Sequence, residues 1–176
     1  MSYQIADQPL DTTYRDYVVR PSVPLFSIML CGAWMAWPWF AFNAIAMGSP
    51  TRRKEIALCI AAFAGTAVLG AILLALVDAG VLPKGTPLRL ALLAVTAFKL
   101  GITYHIAMVQ ERTFHVYEYY GGPVRNAGRI VSAGWLARGL VLGLSDNPLW
   151  IIIVDGGLGG LDGGLSRALW AWLGVG

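Results

Sequence analysis

The sequence predicts an all-α, polytopic integral membrane protein with about four transmembrane helices and a glycine-rich C-terminal tail. Three observations carry this. Hydrophobic residues fill 57% of the 176 positions and charged residues only 13%, against about 25% charged in an ordinary soluble domain. Mean hydropathy is +0.61, so a soluble monomer of this size has no way to bury its apolar surface, and intrinsic disorder is excluded by the same numbers. The apolar residues also gather into long uncharged stretches parted by polar links rich in Gly and Pro.

Residues 1–20 form a polar segment of mixed charge without the pattern of a secretory signal. Asp11-Thr12-Thr13 is placed to cap a short helix through Arg20, with Tyr14 and Tyr17 at the headgroups. The membrane domain covers 21–147. Its first span is 24–47, 24 residues without a charge, where about 20 suffice to cross the hydrocarbon. Pro38 kinks that span or breaks it into a re-entrant helix lining a site. Gly32 and Ala36, four apart, offer a small face for close packing.

Gly48-Ser49-Pro50 ends this span, and Thr51-Arg52-Arg53-Lys54-Glu55 is the densest basic cluster. The second span, 56–77, carries a small-residue stripe at Ala62, Thr66 and Gly70 and reads as a packing helix. A short Gly- and Pro-rich turn, 78–87, makes the third span, 88–110, its antiparallel neighbour. The fourth, 127–145, has Gly139 and Gly143 at the four-residue step. Asp146-Asn147-Pro148 reads as a cap and turn. Residues 148–176 read as an interfacial tail, the alternative being a fifth span whose Asp155, Asp162 and Arg167 need partners.

Loop one and the segment after span three hold six Lys and Arg: Arg52, Arg53, Lys54, Arg112, Arg125 and Arg129. The opposite links hold four: Arg15, Arg20, Lys84 and Arg89. The positive-inside rule then places loop one in the cytoplasm and the N-terminus outside an inner or plasma membrane.

Chemistry concentrates on few residues. Thr96, Lys99, Thr103 and Gln110 share one face of the third helix. A lysine at that depth must pair, snorkel or reach water, and the candidate partners are Asp155 or Asp162, if the tail inserts, or a carboxylate of another subunit. Arg138 raises the same question in the fourth span. His105 is the one candidate haem ligand. His115, ten residues on and roughly 15 Å away along a helix, cannot share its iron, so the expectation is a core or interfacial histidine. Glu111, His115 and Glu118 fall on one face if the helix continues, where a solvated face or docking surface outweighs a metal site, since the chain has one His-x-x-Glu, the reverse of the usual Glu-x-x-His, and no second copy. Cys31 and Cys59 lie in apolar stretches without a CxxC or Cys/His cluster and read as inert thiols. No nucleophile elbow, phosphate loop, dinucleotide fingerprint or zinc helix is present, and a net charge of +3 does not point to nucleic acid.

The expected protein is therefore a non-catalytic subunit of a larger membrane complex, with no cofactor or metal. Its partners would be other membrane subunits, its own copies and lipid, meeting at Lys99, Arg138, Gly139, Gly143, Glu111, His115 and Glu118. The alternatives are a small oligomeric transporter or channel with Lys99 in its pathway, and a haem, pigment or metal protein using His105 or Glu111, His115 and Glu118.

Overall fold

Where each helix stops decides the architecture. The computed structural model describes residues 10–155, and among these it is all-helical with no strand. A 3-10 turn at Arg15–Tyr17 precedes α1 (Ser22–Leu30), α2 (Ala33–Ala46), α3 (Arg52–Asp78), α4 (Thr86–Tyr119), α5 (Gly128–Leu142) and α6 (Pro148–Val154). The glycine run from Gly156, with Asp162, Arg167, Trp170 and Trp172, lies outside the described residues.

Two helices, α3 with 27 residues and α4 with 34, are long and apolar enough to cross a membrane. They pack along each other across their short link. The helices α2, α3 and α4 end in one motif. The amides of Gly48, Gly80 and Gly121, all at positive φ, donate to the carbonyls of Ile45, Val77 and Glu118. The next amides, of Ser49, Val81 and Gly122, donate to Ala44, Leu76 and Tyr117. Each pair satisfies terminal carbonyls that have no partner within the helix.

The expected first span, 24–47, is corrected: it is a helical hairpin. The helix breaks at Cys31-Gly32, six residues before Pro38, where Gly32 adopts φ 107 and ψ 173. Pro38 sits exposed inside an unbroken α2, where it removes one backbone bond. The hairpin leaves by the end it entered. Just before α1, the amide of Val19 donates to Asn43 Oδ1 near the end of α2, and Asn43 Nδ2 donates back to the Val19 carbonyl, both at 3.0 Å. Gly32 therefore supplies the bend, not a small packing face.

The N-terminal segment belongs to that same end. The Leu10 amide bonds the Gly48 carbonyl, and Thr12 Oγ1 bonds the Ala46 carbonyl at 2.6 Å. Asp11-Thr12-Thr13 thus caps no helix of its own, because Thr12 serves the end of α2. Val18 packs with Ala46, Met47, Phe114 and Tyr117, and Arg20 pairs with Glu118 at 3.4 Å. Leu10–Arg20 and loop one therefore share one end of the bundle, where the expectation put them on opposite sides.

The expected fourth span shrinks to α5, whose 15 residues fall short of the ~20 that a crossing helix needs. The chain then turns at Asn147, whose Oδ1 accepts the Leu149 amide at 2.9 Å. It returns as α6, with the Trp150 indole bonded to the Val141 carbonyl. An interfacial tail is corrected for this part. Ile151, Ile152 and Val154 are buried, and Gly70 of α3 gives room for Leu149 and Ile152, 2.8 and 3.1 Å from a hypothetical Cβ.

The main core joins the hairpin to the long pair: Ile28, Ala33, Ala36, Trp37 and Phe40 pack on Cys59, Ala62, Ile106 and Ala107. A second cluster, Leu73, Val77, Leu88, Val95 and Ile152, seats α6 between α3 and α4.

Candidate functional site

The inner face of α4 is a ladder of buried polar groups that bond to α2 and to the end of α6. Gln110 Nε2 donates to the Phe40 carbonyl at 2.7 Å, and its Oε1 accepts from Asn43 Nδ2 at 3.2 Å. The Phe40 carbonyl lies in the turn after Pro38. Two turns before Gln110, Thr103 Oγ1 accepts the Trp37 indole at 2.9 Å and donates to the Lys99 carbonyl at 2.7 Å. Sequence periodicity placed these residues on one face; what they face required the fold.

Lys99 is 3% exposed. Its Nζ donates to the Ile152 carbonyl at 2.8 Å and to the Asp155 carbonyl. These are carbonyls at the C-terminus of α6, the negative end of a helix dipole, where a cation is favoured. Arg138, 6% exposed on α5, does the same for α1. Its Nη1 donates to the carbonyl of Leu30, the last residue of that helix, at 3.4 Å. Its Nη2 pairs with Asp155 Oδ1 at 2.5 Å. Two cations and one carboxylate thus hold together the interior ends of two short helices. The positive charge exceeding Asp155 lies against carbonyls that would otherwise lack partners.

Packing brings α5 to this node through a glycine that sequence reasoning missed. A Cβ on Gly134 would lie 2.1 Å from Met35 Sδ and 3.2 Å from Cys31 Sγ. Gly134 sits one turn before Arg138, and that spacing was the available signal. Asn43 was also missed, although it is the one amide in an uncharged stretch of 24 residues. Cys31 and Cys59 are buried free thiols. Arg138 Nε and Thr66 Oγ1 are buried without a hydrogen-bond partner among the described residues.

The other sequence-selected residues lie elsewhere. Gly139 is exposed on α5 with nothing within 4 Å of a hypothetical Cβ. Gly143 closes the same helix, its amide on the Gly139 carbonyl. Ser132, Leu136, Leu140 and Leu144 are exposed beside them. His105 is exposed on α4 rather than in the core. The helix continues to Tyr119, so Glu111, His115 and Glu118 form an exposed strip: His115 lies 3.7 Å from Glu111, and Glu118 holds Arg20. No group of three metal-binding side chains occurs among the described residues. No protein-family model, curated protein or solved structure matches the chain.

Proposed function

We propose that this is a multi-pass integral membrane protein acting as a non-catalytic scaffold subunit, joined to membrane partners through the outer face of α5. The membrane reading rests on α3 and α4: only 22% and 28% of the residues in their apolar windows are buried. Ile60, Val68, Ile72, Leu90 and Leu93 project outward, as suits helices solvated by lipid. The shared end carries Arg15, Arg20, Arg52, Arg53, Lys54, Arg112, Arg125 and Arg129; the far link carries Lys84 and Arg89. Eight against two favours the N-terminal segment and loop one facing the cytoplasm of an inner or plasma membrane.

One observation carries the scaffold reading. Gly139 is open outward on a helix anchored inward by Gly134 and Arg138. Small residues on a rigid helix let a partner's backbone approach closely, and packing is the main source of affinity within lipid. Replacing Gly139 and Gly143 together by Leu leaves the Arg138 node in place and should strip partner subunits from the particle extracted in mild detergent. Full retention of those subunits at normal expression would overturn the reading.

The meeting of two short helices at buried charges favours one second reading, transport, since discontinuous helices commonly build ion sites. In that case a Lys99→Met chain would remain folded but lose flux in proteoliposomes.

A further inference from the structure

Between the N-terminal segment, α2 and the start of α5 lies a groove of about 300 Å³ lined by Tyr17, Val19, Met35, Trp39, Phe42, Arg125, Ala127 and Ile130. Met35, Trp39 and Phe42 recur at steps of four and three and make one wall of α2. Val19 and Ala127 are buried. The one charged group is Arg125. Its amide is tied to the Val18 carbonyl, and its guanidinium rests on the Tyr17 ring, 5.1 Å from the centroid. It makes no ion pair among the described residues. The first turn of α5, which begins at this mouth, holds no acidic residue, so the helix dipole adds positive potential there.

The geometry points to an anionic phospholipid as the occupant, one acyl chain in the groove and its phosphate on Arg125. An extended protein segment would bring backbone donors and acceptors that the largely apolar walls leave unpaired. An acyl chain brings none. Arg125 stands at the mouth on the Tyr17 ring, at the basic end that also carries Arg20 and Arg129. That is the level of a headgroup phosphate if the membrane reading above, on which this inference rests, is right.

The test uses the full chain, purified in mild detergent, stripped of lipid and titrated with phosphatidylglycerol or phosphatidylcholine of identical acyl chains. Bound lipid is counted by native mass spectrometry. The expected result is one retained phosphatidylglycerol per chain. Arg125→Gln should reduce the preference for the anionic lipid about fivefold, and Arg125→Lys should restore most of it. Ile130→Trp, at a half-exposed rim position, should block both lipids. Arg125 is exposed, so its variants test the inference even if the rim variant misfolds. Equal lipid retention in wild type and Arg125→Gln overturns the inference, as does a co-purifying polypeptide that blocks lipid. Carbonate extraction of the native membranes separates the two failures. A chain that stays in the pellet with unselective lipid binding sinks the groove alone; a chain released to the supernatant sinks the membrane reading with it.

Discussion

Lys99 shows how little a buried charge in a helix says until its surroundings are known. A pathway lysine needs access, whereas this ammonium is enclosed and bonded to the Ile152 and Asp155 carbonyls. Its physical role is to close the end of α6. Lys99→Met keeps the bulk but strips the bond from the buried Ile152 carbonyl, at about 1–3 kcal/mol, and from the part-buried Asp155 carbonyl as well. The detergent-solubilised chain should therefore melt several degrees lower, with α6 released first and exchanging its amide protons faster than α3. An unchanged melting temperature would contradict the clamp and return weight to transport. Gly48 makes a similar point about backbone. It sits at φ 62, and a Cβ there would lie 2.0 Å from the Leu10 carbonyl oxygen, so this glycine joins the N-terminal segment to the end of α2.

Among elements, the hairpin of α1 and α2 is the one the sequence concealed. Its turn is Cys31-Gly32, within an apolar run of spanning length and without a charge, Asn or Pro at the bend. Pro38 offered a more visible break, yet one missing backbone bond did not end α2. Gly32 combines φ 107 with ψ 173, a region essentially closed to side chains. Gly32→Ala should therefore cost about 1–3 kcal/mol, read as a fall in thermal stability of the purified chain; an unaltered midpoint would mean the bend relaxes freely. The long elements were legible because their signals were local. Continuous apolar length marked α3 and α4, the Gly- and Pro-rich link marked the turn between them, and the face of Lys99, Thr103 and Gln110 followed from helical spacing. Asp155 was legible only as a candidate partner of Lys99. Its actual bonding, a carbonyl to Lys99 and a carboxylate to Arg138, depends on α6 folding back onto α3. No periodicity encodes that return.

For the whole molecule, the hairpin changes which links lie together. A first span that crosses separates the N-terminal segment from loop one, and the basic residues then divide almost evenly. A hairpin returns the chain to its starting end, so Arg15 and Arg20 join loop one and the α4–α5 link. Under the proposed membrane reading, the resulting asymmetry favours one orientation by the positive-inside rule. Single cysteines at Asp16, Pro50 and Val81, all exposed positions, report it through a membrane-impermeant maleimide. Cys31 and Cys59 are buried and should contribute little background. Asp16→Cys and Pro50→Cys should label together in inverted vesicles and stay protected in intact cells, while Val81→Cys shows the reverse. Joint labelling from outside would retain the hairpin and invert the orientation. Labelling of Asp16→Cys and Pro50→Cys from opposite sides would refute the hairpin itself, because two links bonded at one end of a bundle cannot face different compartments.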